Sequence, residues 1–383
     1  MPLSTGLATQ KLITVDVIQY IQEVIKSTLT PSWINSVPKN YGEASAGTIK
    51  AGEWCILSTV YFPIAFVSLW GFENGSRPGE NNHTLQVLDH TMALFQAVNI
   101  MCRDAMTVDR ATRYRDLIKN WIVDLHRLHP ETLKHKNRDN VHAALHLYDF
   151  AILFGAVMSW WCFPFERLIG TLQDINTNSL VGGEKFYTEL NHVSILTSTL
   201  NAGPLEQTIV RSFTKGANLR WWLDRDDCPE ALRQFKLLFD EAFSRKPQKD
   251  NRKYHPRQTE VAHVTYNGVN YSRATTHLGN SLVLYYPSPT INTPIAGSIE
   301  KIMVLGTTVQ LSIRRQKQLP PGSYDPFLRY PSFPARLYSA EIGSGSESLD
   351  VIPLGSVLSH VARYKFLNQA VILNLSRVNN IFL

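Results

Sequence analysis

SLVLYY (281–286), SIEKIMVL (298–305), TTVQLSIRR (307–315) and QAVILNLSR (369–377) are short runs rich in branched aliphatic and aromatic residues. Pro287, Pro289, Pro320, Pro321, Pro326, Pro331 and Pro334 stand in the stretches between them. Proline has no N–H to give to a sheet ladder, so these stretches read as loops and the runs as strands. The chain from residue 260 onward is therefore expected to form a small β-barrel or rolled sheet of about 100–120 residues.

The apolar pattern upstream has a different period. Val17, Ile18, Ile21, Val24, Ile25 and Leu29 recur at helical spacing, and Pro31 closes the run. Leu85, Leu88, Met92, Phe95 and Cys102 form a second stripe. Ala111, Tyr114, Ile118, Trp121, Ile122, Leu125 and Leu128 form a third, between Thr107 and Pro130. Each stripe needs neighbouring elements to cover it. The fold class read from this change of period is α+β: a largely helical N-terminal body with a small C-terminal β-barrel or rolled β-sheet module. Expected boundaries are a helical region at 1–244, a basic linker at 245–259 and a β-rich domain at 260–383.

WCILSTVYFPIAFVSLWGF (54–72) carries no charge over 19 positions. That length could just cross a bilayer, which leaves a membrane-anchored protein as one alternative. Pro63, the small polar residues Ser58, Thr59 and Ser68, and the absence of a strongly basic flank favour a buried core helix. FENGSRPGENNH (72–83) reads as a polar loop.

The chain has 383 residues, 44% hydrophobic and 18% charged, enough apolar material for a sizeable core. Wholesale disorder, a fibrous repeat and a disulfide-held mini-protein are excluded. Cys55, Cys102, Cys162 and Cys228 form no CxxC pair, which argues against a zinc ribbon or a thioredoxin-type site. Cysteines dispersed through apolar runs read as reduced, buried thiols of an intracellular protein. The N-terminus reads as neither a signal nor a transit peptide. There is no GxxxxGK[ST], GxGxxG or GxSxG motif, so no small-molecule cofactor is expected.

Charge is distributed unevenly. Residues 1–244 hold 22 Lys/Arg against 25 Asp/Glu, whereas residues 245–383 hold 16 against 7. The basic excess points to a polyanionic partner, nucleic acid first.

NVHAALHLYDFAILFGAVMSWWCFPFERLIGTLQDINTN (140–178) resembles the segment that follows the catalytic core in CACTA-type (En/Spm-like) transposases of fungi. WWCFPFER, with HxxxH ahead of it, is the specific part of the match. The resemblance continues in 31–71, in PLEQTIVRSFTKGANLRWWL (204–223), in YSRATTHLGNSLVLYY (271–286) and in DPFLRYPSFPARLYS (325–339), covering most of the chain from about residue 15. It implies a nuclear, transposon-derived protein that binds transposon-end DNA or chromatin, with other transposase chains as further partners. Family members are longer on the N-terminal side, where they carry an RNase H-like core with two catalytic aspartates and a Cys/His-rich region. This chain is expected to be a fragment without catalysis of its own, or alternatively a contributing part of an active DDE-type, Mg²⁺-dependent transposase. Residues 179–202 interrupt the match and read as an insertion or a translated intron.

The resemblance makes Glu166 the third acidic residue of a two-metal site. Carboxylates suit that role because Mg²⁺ takes hard oxygen ligands and shares them with phosphate. A plain reading is a glutamate at a helix start, paired with Arg167 or another cation. One carboxylate cannot build the site, so no metal is expected for this chain alone and Mg²⁺ only when an upstream core completes it. His142 and His146, four apart on a helix and near Asp149, are a possible metal pair or two packed histidines. Trp160, Trp161, Phe163 and Phe165 suit core packing or base stacking. Arg211, Lys215 and Arg220 form one basic helical face beside Trp221 and Trp222. Arg245, Lys246, Lys249, Arg252, Lys253 and Arg257 form a basic linker, either simply solvated, or a nonspecific DNA contact or nuclear import signal. Arg314, Arg315 and Lys317 mark a basic strand end, and Tyr285 and Tyr286 suit either a peptide groove or the core.

Overall fold

The computed structural model describes residues 12–73, 75–130, 132, 139–162, 259–288, 290–305, 308–343 and 348–376. Helix α1 is Val15–Ser27, with the Thr14 hydroxyl accepting the Val17 N–H at its start. Helix α2 spans Ala51–Trp70 and contains a π turn at Leu57–Tyr61. The widened turn comes just before Pro63, whose missing N–H and bulky ring disturb a regular α ladder. Helix α3 is His83–Met101, capped by the Asn82 side chain, which accepts from the N–H groups of Thr84 and Leu85. Helix α4 is Val108–Leu128, capped by Thr107. Helix α5 is Asp139–Phe154.

The strands are β1 (Thr259–Val261), β2 (His263–Tyr266), β3 (Val269–Ser272), β4 (Leu282–Tyr285), β5 (Ile295–Leu305), β6 (Thr308–Arg315), β7 (Ala335–Ser339), β8 (Leu349–Pro353), β9 (Val357–Phe366) and β10 (Gln369–Asn374). A four-residue helix, α6 (Leu278–Ser281), leads into β4. The main sheet runs β7-β10-β9-β4-β5-β6-β8, with β1 also paired to β5; every pairing is antiparallel. It curls into a half-barrel, so the chain is α+β. Strands β2 and β3 form a separate hairpin whose turn residues, Asn267 and Gly268, both have positive φ, the conformation a two-residue hairpin turn requires.

Side chains alternate across the strands and feed different clusters. Val283 and Tyr285 join Ile299, Ile302, Leu311 and Ile313 on one face. Leu282 and Leu284 join Val361 and Ile372 on the other. A larger core mixes helices and sheet: Val24, Leu57, Ile64, Leu88 and Met92 pack with Phe327, Phe333, Tyr364 and Val371. Phe66 stacks on Trp70 at 4.8 Å inside it. Helix α2 is long and apolar enough to cross a membrane, and 56% of its most apolar window is buried within the protein. The shared core covers that part of the helix.

Two compact units divide the chain. One combines residues 1–153 with 254–383, and the other is 154–253. The helices and strands that the sequence pattern separates at 245–259 therefore share one core, while residues 245–258 lie outside the described residues.

The N-terminal region joins the sheet through main chain. Leu29 and Arg363 exchange both backbone hydrogen bonds, at 2.8 and 2.9 Å. Just beyond, Ser32 N–H donates to Asn280 Oδ1 at 2.7 Å and Asn280 Nδ2 donates back to Ser32 Oγ at 3.1 Å. Gly279 lies so close to this segment that a Cβ there would sit 1.9 Å from the Thr30 carbonyl oxygen. Backbone cannot yield as a side chain does, so Gly279→Ala is expected to lower stability by about 2 kcal/mol or more, read as a drop in the urea midpoint. An unchanged midpoint would contradict the contact.

Candidate functional site

Glu166, Arg211, Lys215, Arg220, Arg245, Lys246, Lys249, Arg252, Lys253 and Arg257 all lie outside the described residues, as do 179–202, Phe163 and Phe165. His142 and His146 are described, exposed on α5, with their Nε2 atoms 3.2 Å apart. Asp149 Oδ2 stands 3.6 Å from His146 Nδ1, on the other side of that ring. The spacing does place both histidines on one face. Among the described residues, no group of three or more His, Cys, Asp or Glu is placed to hold a metal ion. Trp160 is exposed and packs edge-on against Phe154 at 6.3 Å.

The basic strand end is paired. Arg314 donates to both oxygens of Glu300, at 2.8 and 2.9 Å. Arg315 makes the same fork with Asp350, at 2.6 Å on both arms. Lys317 lies 2.9 Å from Glu341. Tyr285 is fully buried and donates to Asp350 Oδ2 at 2.7 Å, so it is a core residue and not part of a groove.

Thiols are arranged differently from the expected scatter of buried cysteines. Cys55 and Cys102 are half-buried with Sγ atoms 3.6 Å apart, and Cys162 is exposed.

One cleft in the unit of residues 1–153 and 254–383 concentrates functional groups. It measures about 890 Å³ and lies between the start of α4, the loops at 292–294 and 318–325, and strand β7. Arg110 and Arg113 enter it from one face of α4, and Arg336 enters from β7. Arg110 Nη1 donates to the Ala105 carbonyl at 2.7 Å, and Arg113 Nη1 donates to Ser332 Oγ at 3.3 Å. Two carboxylates also line the cleft. Asp325 accepts the Phe327 and Leu337 N–H groups at 2.9 and 3.0 Å. Burial nevertheless raises its pKa, against those hydrogen bonds and the charge of Arg336. Asp109 is exposed in the first turn of α4.

The arginines of this cleft are absent from the sequence-level candidates. Arg110 and Arg113 stand one helical turn apart on an amphipathic helix, which is the only local signal, and Arg336 is more than 200 positions away. Comparison with known protein families, characterised proteins and solved structures finds no match to this chain.

Two buried histidines give the unit a pH dependence. His360 accepts from Trp33 Nε1 at Nδ1 (3.2 Å) and donates from Nε2 to the Asn280 carbonyl (3.0 Å), so its neutral form is fully bonded. Burial lowers its pKa to about 4, against the hydrogen bond that it donates to the Asn280 carbonyl. His90 stacks on Trp121 at 5.7 Å and is also lowered to about 4, first by burial and then by His129. Both values fall below the ordinary 6.5, so the unfolded chain binds more protons between pH 6.5 and pH 4. Stability is therefore expected to be full above pH 6.5 and to fall toward pH 4. His360 alone contributes on the order of 2 kcal/mol of loss at pH 5. Urea midpoints between pH 7.5 and pH 4.5 test this; a midpoint that stays flat or rises on acidification would contradict the arrangement.

Proposed function

We propose that this protein is a transposon-derived nuclear protein that binds DNA or chromatin through phosphate contacts and does not cleave DNA by itself. The observation that carries the reading is where the basic charge stands. Arg314, Arg315 and Lys317 are engaged by Glu300, Asp350 and Glu341. Residues 245–258, in contrast, hold six Lys/Arg against one Asp. Such a segment attracts a polyanion by releasing condensed counterions, with little dependence on base sequence. The resemblance to CACTA-type transposases supports DNA as the polyanion.

By the same resemblance, Glu166 descends from a metal ligand that worked with two aspartates upstream of the region matched here. Mg²⁺ held by hard oxygens would supply charge neutralisation at phosphate in such a completed core. No step is assigned to the present chain.

DNA affinity is expected to fall steeply with salt. Neutralising Arg245, Lys246, Lys249, Arg252, Lys253 and Arg257 together is expected to reduce the slope of log K against log salt by up to about 5. A slope equally shallow in wild type and variant would remove the electrostatic role of this segment. Supercoiled plasmid incubated with Mg²⁺ and the purified chain is expected to stay intact; nicking that disappears in Glu166→Ala would overturn the non-catalytic reading.

A further inference from the structure

We propose that Cys55 and Cys102 form a reversible disulfide, made by exchange with a small-molecule disulfide such as oxidised glutathione. The inference goes beyond the DNA-binding reading above and does not rest on it.

Three observations converge on this pair. The first is distance. The two sulfurs are 47 positions apart in sequence and 3.6 Å apart in space. A disulfide bond is about 2.05 Å long, so each sulfur has to move by less than about 1 Å. The backbone on both sides has room to absorb this. Cys55 stands in the second turn of α2, just before the π turn at Leu57–Tyr61. Cys102 caps the C-terminus of α3, where its N–H donates to the Val98 carbonyl at 3.0 Å. Helix ends open more readily than helix interiors.

The second is access and charge. Both thiols are half-buried, so a small reagent can reach them. Exposed residues stand close by in the chain, Trp54 beside one and Asp104 near the other. Arg103, buried next to Cys102, has its pKa lowered to about 10, first by burial and second by the charge of Arg110, while Cys102 acts in the opposite direction. That attraction is mutual. The guanidinium stabilises negative charge on the Cys102 sulfur, and the thiolate is the form that attacks a disulfide.

The third is placement. Helices α2 and α3 are joined at one end by residues 71–82, and the two cysteines meet at the opposite end. A bond there closes both helices, with the apolar faces they give to the core, into one covalent loop. Such a loop reduces the freedom of the unfolded chain and so favours the folded one. The exchange balances without a further reactant. The Cys102 thiolate attacks one sulfur of glutathione disulfide and releases one glutathione thiolate. The Cys55 thiolate then attacks the Cys102 sulfur of the mixed disulfide and releases the second. The two thiol protons end on the two glutathiones, one S–S bond forms as one breaks, and two electrons pass from the protein pair to glutathione disulfide.

The test uses the full chain, freed of reductant and incubated with glutathione disulfide, then alkylated and mapped as peptides without reduction. The expected product is a Cys55–Cys102 linked peptide pair within one chain, reversed by dithiothreitol. The urea midpoint of the oxidised protein is expected to lie about 0.5 M or more above that of the reduced protein. Cys55→Ser and Cys102→Ser are each expected to abolish both the link and the rise, and to leave glutathione attached to the remaining partner. The wild-type map decides the matter even where a variant folds poorly. Full alkylation of both Cys55 and Cys102 after the incubation would overturn the proposal. So would links confined to Cys162 or Cys228, or a glutathione adduct that persists on wild-type Cys55 or Cys102 without the link. A midpoint that rises as much in Cys55→Ser as in the wild type would overturn it too.

Discussion

The unit of residues 1–153 and 254–383 depends on one junction, where the chain from Leu29 to Trp33 lies against β9 and α6. The junction is held mainly by backbone, which makes it intolerant of volume. Leu29 and Arg363 share a two-bond bridge, and Gly279 leaves no space for a side chain next to Thr30. Polar groups there are mutually satisfied. Asn280 bonds Ser32 through both ends of its amide, while its own carbonyl receives His360. Arg363, buried at the same bridge, donates to Gln316 Oε1 and to the Ala340 carbonyl. A buried polar network of this kind is worth having only when complete, because each unmade bond leaves a desolvated group unpaired. With the junction formed, α1, α2 and α3 can lay their apolar faces against Phe327, Phe333, Tyr364 and Val371.

Local physics made part of this legible. Helices α1, α3 and α4 follow apolar stripes with side-chain caps, and Thr107 stands where the pattern places the start of α4. Strands β4, β5, β6 and β10 coincide with apolar runs between prolines. Strand β9 escapes the same reasoning. Ser359, His360 and Arg363 break its apolar run, yet all three are buried, because partners far along the chain satisfy them. Strand β7 is five residues long and starts directly after Pro334, so its neighbourhood reads as loop. The union of helices and sheet in one core was not legible either, since an apolar stripe states that it must be covered and not by what.

The candidate site divides along the same line. Composition reveals the basic excess, but not which cations find carboxylates. Arg315 meets Asp350 only because β6 and β8 are neighbours in the sheet. Arg329 is likewise spent within the fold, forked onto Asp89 of α3 and reaching Glu80. Net charge by segment therefore overstates the positive surface of the sheet. Arg110 and Arg113 show the same dependence on the fold. They sit in the near-neutral part of the sequence, and only the approach of β7 turns them into part of a cleft.

The discontinuity of the unit bears on how the protein is made. Trp33 must wait for His360, 327 positions later, before the junction can close. At ordinary elongation rates of about 5–20 residues per second, that interval is roughly 15–65 s. Throughout it the apolar length of α2 has no sheet to lie against. Long-range closure of this kind slows folding and leaves a nascent chain open to aggregation. Newly synthesised chains would thus be natural clients of ribosome-associated chaperones, and yield in a foreign host would be limited by that waiting period more than by the stability of the finished fold.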